Sequence, residues 1–218
     1  ENGRVYWSNW MGLFDLTSSV QIQRGLGSTS LAVPSAGGTV SVNTRAAEVD
    51  PGTGIKMSLG DNNYQKFTAF HNTGVNELGW SSSFLLGFWQ GDGWRNGMQG
   101  EGTTYAFSVG YTPRGGDHEF NFSLIGAGQW HHQAYYGTQL QDYLDYGPIQ
   151  GDDYRKFNAL YGDYQGEEFS ILRNYYNKPL ATINWDWEIS SRVTLATSLY
   201  GSAGRGGGTG LRGRGSYG

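Results

Sequence analysis

Two neighbouring histidines are the residues whose chemistry stands out first in this chain. His131 and His132 are adjacent, and adjacent side chains on a strand point to opposite faces, so the two rings cannot share one metal ion without a bend. No third ligand is evident, and we predict neither a metal nor a cofactor. Because no nucleophile elbow, catalytic carboxylate pair or phosphate-binding loop is recognisable either, we do not expect an enzyme.

Aromatic side chains are the better candidates for binding a ligand. Tyr and Trp present large, rigid surfaces with one polar tip, which suits the recognition of sugars, peptides or chelates. The residues that we predict to contact a ligand are Trp7, Asn9, Trp10, Trp94, Trp130, Tyr135 and Tyr136. The alternative for any one of them is that it packs its own loop against neighbouring segments.

An arginine–glycine tract from Gly204 to Gly215 could suggest RNA binding, since Arg205, Arg212 and Arg214 alternate with glycines. The tract is short and not strictly repetitive, and the net charge of -4 gives no broad basic field. We therefore expect no nucleic-acid partner and interpret the tract as a mobile loop.

The elements that position these residues have a period of two. From Thr104 to Tyr111, large side chains alternate with small ones, and the small ones are uncharged. A soluble sheet usually carries Lys, Glu, Thr or Arg on its polar face, so small uncharged residues are unusual there. The same alternation from Leu180 to Ile189 predicts that one face of a single antiparallel sheet carries Tyr105, Phe107, Val109, Ile183, Trp185 and Trp187. It predicts that the opposite face carries Thr104, Ser108, Asn184 and Asp186.

Connections between the strands alternate in length. Short ones are expected at 112–118 and 190–192, and long ones at 90–102 and 131–179. Tight turns at one end and long loops at the other are typical of an outer-membrane barrel, as are aromatic residues near both ends. Such residues are Trp80, Tyr111, Phe120 and Trp187 near the short turns, with Trp94 and Trp130 near the long loops.

The composition agrees with an all-β chain rich in turns. The 218 residues include 36 Gly and 15% aromatics, but no Cys and only 16% charged residues. No apolar run is long enough for a transmembrane helix, which leaves a membrane barrel open because barrel strands give only short alternating patterns. The alternative is a soluble β-sandwich with an aromatic core.

Residues 20–44 carry the most specific motif. A strand ends in Arg24-Gly25, small residues follow, and Gly37-Gly38 opens a strand of alternating β-branched residues. This order resembles the plug signature of TonB-dependent outer-membrane receptors. Leu26 stands where many members carry Pro, and this departure leaves the ligand subclass open.

The resemblance implies a mainly β fold, namely an antiparallel transmembrane β-barrel fragment of about seven strands out of roughly 22, preceded by the end of an α/β plug domain. Its domains would be the plug at 1–46, a linker at 47–54 and barrel at 55–218. The plug unit is expected to lie against the small-residue face of the sheet. The family's plug arginine commonly pairs with carboxylates of the inner wall, so Arg24 is expected near Asp186 and Glu188.

The implied function is active uptake of a siderophore, cobalamin, glycan or peptide across the outer membrane. Partners would be the extracellular ligand, outer-membrane lipid and the TonB complex of the inner membrane. Both ends of the chain look cut, so the segment that couples to TonB is expected upstream of Glu1. The rival hypothesis is a soluble or surface-attached β-sheet protein that binds carbohydrate.

Overall fold

The computed structural model describes residues 10, 17–25, 37–135 and 137–210. Over these residues the chain is mainly antiparallel β, as the alternation predicts. The first two strands, β1 (Ser19–Arg24) and β2 (Gly38–Asn43), pair with each other in a hairpin of their own. A 3-10 helix at Ala46–Glu48 then leads into the main sheet.

The remaining strands follow in chain order. They are β3 (Gly52–Leu59), β4 (Gln65–Asn72), β5 (Trp80–Gly91), β6 (Gly100–Tyr111), β7 (His118–His132), β8 (Tyr161–Tyr164), β9 (Glu167–Ser170), β10 (Arg173–Asn177), β11 (Leu180–Ser190), β12 (Val193–Ser202) and β13 (Arg205–Gly208). Between β7 and β8 lie helix α1 (Leu140–Tyr146) and 3-10 helices at Gly147–Gln150 and Tyr154–Lys156. None of the helices in the described ranges is both long and apolar enough to cross a bilayer.

The main sheet is an antiparallel meander in the order β3-β4-β5-β6-β7-β11-β12. Strand β10 pairs with the last residues of β7, and strand β11 pairs with its earlier residues. Both strands therefore lie along the same side of β7. Pro179, which has no backbone N–H, separates them. β13 likewise follows β12 and pairs with β10, so the sheet contains seven strand paths. No sheet in the described part of the chain is closed, and β3 and β12 are the ends of the pairing order.

Burial divides the main sheet into two unlike faces. In β6 the small residues Thr104, Ala106 and Ser108 are buried, whereas Tyr105 and Phe107 are only half-buried. We call these the small-residue face and the aromatic face. Strand pairing extends the aromatic face across the sheet through residues that include Phe84, Leu86, Val109, Phe122, Ile183, Trp185, Trp187 and Leu199. The predicted assignment of side chains to faces is therefore confirmed.

Large apolar side chains stay exposed on the aromatic face. Leu86 is 68% exposed, Phe84 48% and Ile183 51%, so no second described sheet encloses this face. On the opposite face, Leu85, Ala106 and Ile125 form a small buried cluster with Phe70 against it. The fold is thus inverted relative to a water-soluble sheet, since its small and polar residues are buried and its large apolar residues are not.

The segment after the hairpin packs on the small-residue face. Ala46 is fully buried, and a Cβ placed on Gly110 would lie 3.7 Å from the Cβ of Ala47. The hairpin is joined to the same 3-10 helix, because Ser18 and Asn43 both donate to the carboxylate of Glu48. Residues 17–25 and 37–48 are therefore linked to the small-residue face and do not extend the main sheet. The division of the chain into plug, linker and barrel domains stays a prediction.

Glycines face aromatic rings across the strands. Tyr105 is paired with Gly126, and a Cβ on that glycine would lie 2.3 Å from the ring. Trp89 lies over Gly102 in the same way, and Phe70 over Gly54. An aromatic ring that covers a cross-strand glycine compensates for the missing side chain. These pairs explain why glycine and aromatic residues are abundant together.

The same pairing explains two differences from the sequence-based boundaries. Part of the arginine–glycine tract, Arg205–Gly208, is strand β13 instead of a loop, because it pairs with β10 and Gly207 lies beneath the Tyr175 ring. Strand β3 begins at Gly52, within the segment that we expected to be a linker, and its Gly54 lies under Phe70.

The loop after β5 is shorter than expected, since it covers residues 92–99 only. At the same end, 60–64 forms a tight turn and 133–172 a long excursion. At the other end the connections are 73–79, 112–117 and 191–192. We call the end of the sheet with 60–64, 92–99 and 133–172 the long-loop end, and the end with 73–79, 112–117 and 191–192 the short-turn end.

Gly79 at the short-turn end gives a test of this geometry. Its φ of 85° matches that of Gly166 at 86°, but a Cβ on Gly79 would lie 1.9 Å from the carbonyl oxygen of Thr112, whereas Gly166 has open space. Both Gly→Ala variants suffer the same backbone strain, so we expect Gly79→Ala to be less stable than Gly166→Ala by at least about 1 kcal/mol. Thermal unfolding of both variants measures the difference, and equal losses would contradict the close approach of the 73–79 turn to Thr112.

Candidate functional site

A cavity of about 410 Å³ lies at the long-loop end, between the β3–β4 turn and the β5–β6 loop. This volume falls in the range of about 300–1,000 Å³ that is usual for small-molecule sites. Its large lining side chains are Tyr64, Trp89, Trp94, Met98 and His131. In the strand register, Trp89 and His131 belong to the small-residue face, so the cavity opens on that side of the sheet.

Two linked loops hold the rim of the cavity. Asn62 and Asn63 both have positive φ, 56° and 54°, which is the geometry of a type I′ turn and one that Asn tolerates well. Asp92 of the second loop donates its backbone N–H to the carbonyl oxygen of Asn62 at 2.9 Å, and its carboxylate accepts from the Asn63 side chain. The turn and the loop are thus fixed relative to each other.

Glycines make room for the rings. A Cβ on Gly60 would lie 3.4 Å from Tyr64, and one on Gly91 would lie 3.3 Å from it. Side chains at these positions would crowd the Tyr64 ring, which stacks on Trp89 with 6.5 Å between centroids and 29° between planes. Both rings line the cavity, and their planes are nearly parallel.

The polar groups of the cavity are few. Asp61 and Asn62 line it, and over the described residues no hydrogen bond occupies either side chain. Neither Lys nor Arg is among its lining residues. The cavity thus combines an aromatic wall with one carboxylate and one carboxamide, and it has no cationic group to attract an anion.

The residues predicted to bind a ligand do not all come together. Trp94 lines the cavity, but Trp130 lies on the aromatic face, where its Nε1 donates to Glu101 at 2.7 Å and Arg173 covers its ring. Tyr135 is exposed outside the cavity, and Trp10 is half-buried. Trp7, Asn9 and Tyr136 lie outside the described residues. Ligand binding by these residues stays a prediction.

The sequence-based predictions did not identify Tyr64, Trp89, Met98 and His131 as residues that line one cavity. The available signal was the glycines at strand ends: Gly91 and Gly100 are paired, and Gly60 follows in the same row on the other side of Tyr64. His131 faces the cavity, while His132 contacts Trp130 on the aromatic face, so the adjacent histidines do point apart. Within the described ranges no group of His, Asp and Glu residues is arranged to hold a metal ion.

A buried asparagine connects the two longest loops. Asn158 is fully buried, and its side-chain amide donates to the carbonyl oxygen of Asn96 at 2.9 Å. Gln150 reinforces the contact, because its side chain donates to the Asn158 carbonyl oxygen and accepts from the Asn158 backbone N–H. Nearby, burial, followed by a hydrogen bond with Glu168, raises the pKa of Tyr161 to about 12, so this ring packs against Gly97 as a neutral phenol.

Asn158→Leu should release the long loop from the β5–β6 loop. The variant keeps the volume but leaves buried backbone groups without partners, which costs about 1–3 kcal/mol for each group. We expect faster amide hydrogen exchange in 92–99 and 147–170, with exchange in the strands of the main sheet unchanged. Ala159→Leu, an exposed neighbour, is the control; unchanged exchange in Asn158→Leu would show that the network does not hold the loops.

The residues of the predicted plug signature lie at the ends of the β1–β2 hairpin. Gly25 follows β1 with a φ of 74°, and Gly37 precedes Gly38, whose φ is 122°. A Cβ on Gly38 would lie 2.4 Å from the carbonyl oxygen of Gln23, so this position requires glycine. Arg24 is exposed at the end of β1.

Arg45 contacts carboxylates of the sheet. The expectation that Arg24 makes this contact was wrong. Arg45 lies 2.6 Å from Asp186 and 3.0 Å from Glu119, which are cross-strand neighbours on the small-residue face. Burial alone would lower the pKa of Arg45, but the hydrogen bond to Asp186 and the charges of both carboxylates raise it. Arg45 therefore ties the end of the hairpin to β7 and β11.

Comparisons with protein-family models, curated proteins and solved structures find no match to this chain.

Proposed function

We propose that this chain contributes wall strands and plug to a TonB-dependent outer-membrane receptor that takes up a ligand. The observation that carries the proposal is the inverted burial of the main sheet. A soluble monomer rarely exposes a contiguous apolar patch larger than a few hundred Å². Here the exposed apolar residues extend from one end of the pairing order to the other, as Ile55, Met57, Phe67, Phe84, Leu86, Phe88, Phe122, Ile183, Leu195 and Leu199.

The dimensions of the aromatic face suit a bilayer. An aromatic row at the short-turn end is formed by Trp80, Tyr111, Phe120 and Trp185, whose rings stack in neighbouring pairs. A more polar row that includes Gln90, Glu101 and Trp130 lies near the long-loop end. From Glu101 to Tyr111 the strand spans roughly 33 Å at about 3.3 Å per residue. With a usual tilt of about 40°, the height is roughly 25 Å, which matches the apolar band of outer-membrane barrels.

The small-residue face suits the lumen of such a barrel. Its buried polar residues include Thr68, Asn72, Ser81, Ser83, Thr104, Ser108, Asn121 and Ser123. In the described part of the chain, the buried oxygens of Asn72, Ser81 and Ser83 have no hydrogen-bond partner, which is costly in a dry apolar core. A lumen that contains water and a plug is compatible with these groups, whereas the core of a sandwich is not.

The proposed mechanism follows from this arrangement. Ligand binds at the long-loop end, and force from the inner-membrane TonB complex moves the plug, because the barrel itself has no energy source. Arg45 joins the segment after the hairpin to the wall at Glu119 and Asp186. In the proposed mechanism these ion pairs hold the plug against the wall at rest and break when the plug moves.

Fractionation of cells that produce the full-length protein tests this proposal. We expect the protein in the outer membrane, resistant to extraction with urea, and with a mobility on gels that changes on heating. Uptake of its ligand is expected to stop when TonB is deleted. Recovery in the soluble periplasmic fraction would instead support the rival function, a soluble or surface-attached carbohydrate-binding protein.

A further inference from the structure

The cavity at the long-loop end has a wall suited to one class of ligand. Tyr64 lies against Gly91 and Trp89 lies over Gly102 on the same face of the sheet, with 29° between the ring planes, so the two rings lie next to each other as a platform. An ammonium cage requires rings that face a common centre, which this pair does not provide. A flat aromatic platform instead fits the C–H face of a sugar ring or another flat ring.

The charges and polar groups that line the cavity restrict the class of ligand further. The Asp61 carboxylate would repel an anion, and no Lys or Arg lines the cavity to offset it, so phosphorylated and acidic ligands do not fit. Asp61 and Asn62 stand beside the platform, and their side chains make no hydrogen bond with described residues. A carboxylate and a carboxamide together can bind several hydroxyl groups, because the first only accepts and the second both accepts and donates.

We infer that this cavity binds a neutral pyranose sugar, with the ring stacked on Tyr64 and Trp89 and its hydroxyl groups bound by Asp61 and Asn62. Gly91 keeps the wall open next to Tyr64, and the contacts of Asp92 with Asn62 and Asn63 fix the rim before the ligand arrives. We identify this sugar with the transported ligand, and that step rests on the proposed function.

Binding is tested with the full-length protein in detergent, by isothermal titration calorimetry against cellobiose, maltose and lactose. We expect at least one of these neutral disaccharides to bind, and choline and glucose 6-phosphate not to bind. Trp89→Ala removes part of the platform, and Gly91→Val places a side chain against Tyr64. Each is expected to weaken binding at least tenfold.

Phe88→Ala is the matched control. Phe88 is next to Trp89 in the chain but lies on the aromatic face, outside the cavity, so its removal should change the dissociation constant less than twofold. Thermal unfolding shows whether each variant is folded. If Gly91→Val does not fold, Asp61→Asn, at an exposed turn position, replaces it with the same expectation of weaker binding.

The outcomes separate this inference from the proposed function. The sugar site is overturned if none of the three disaccharides binds, or if Trp89→Ala and Phe88→Ala weaken binding equally. The membrane location is measured independently by fractionation. Sugar binding by a protein that fractionates as soluble supports the cavity and overturns the receptor proposal.

Discussion

Leu86→Arg is expected to lower the folded, membrane-inserted fraction of the protein severely. Leu86 is 68% exposed on the aromatic face and pairs with Ala69 and Tyr105 about midway along the sheet. A charged residue at the bilayer midplane of a barrel costs about 2–4 kcal/mol. Folding into lipid vesicles, followed by the gel mobility of unheated samples, gives the folded fraction.

Two variants are controls for Leu86→Arg: one changes the same residue, and the other places an arginine elsewhere on the aromatic face. Leu86→Phe keeps the position apolar and should fold like the parent chain. Trp185→Arg should lose less, because Trp185 pairs with Phe120 near the start of β7 and so lies in the aromatic row at the short-turn end. If Leu86→Arg folds as well as Leu86→Phe, the aromatic face does not contact lipid, since a charge at an exposed position in water costs little.

Arg45→Met is expected to produce the second large effect. It leaves Glu119 and Asp186 as like charges directly opposite each other on neighbouring strands. Breaking a buried ion pair costs about 3–5 kcal/mol, and because these side chains are 24–32% exposed we expect roughly 2–3 kcal/mol. The loss should appear as faster hydrogen exchange in residues 17–25 and 37–48 and as a lower unfolding temperature.

Neutralising the carboxylates should rescue this variant. In Arg45→Met with Glu119→Gln and Asp186→Asn, the repulsion is gone, so most of the lost stability should return. Arg24→Met is the matched control, because Arg24 is exposed and should contribute little. An effect of Arg24→Met as large as that of Arg45→Met would mean that the hairpin is held at its other end.

The sequence was most informative where the local pattern and the environment agree. The alternation from Thr104 to Tyr111 correctly assigns every side chain of that stretch to a face, because a strand has a strict period of two and one face is buried. The seven strand paths also follow from local signals. Strand ends were less certain, since Gly52 and Gly100 pair through backbone groups that no side-chain pattern reveals.

Features that depend on distant contacts could not be predicted in the same way. Arg24 and Arg45 are both arginines beside the hairpin, and only the packing of the 3-10 helix decides which one reaches Asp186. The cavity joins Tyr64 to His131 across four neighbouring strands, so its lining depends on the register of the whole sheet. In β13, glycines that suggest a mobile loop form a strand because they pair with β10 and the Tyr175 ring covers Gly207.

Spin labelling along β6 tests most directly whether the aromatic face contacts lipid. The chain contains no cysteine, so single cysteines at positions 104 to 109 can be labelled without background. In vesicles, labels at 105, 107 and 109 should be accessible to oxygen, which dissolves in lipid, and protected from a water-soluble nickel reagent. Labels at 104, 106 and 108 should be protected from oxygen. Nickel access at 105 and 107 equal to that of a loop position would contradict the account, because those side chains would then face water.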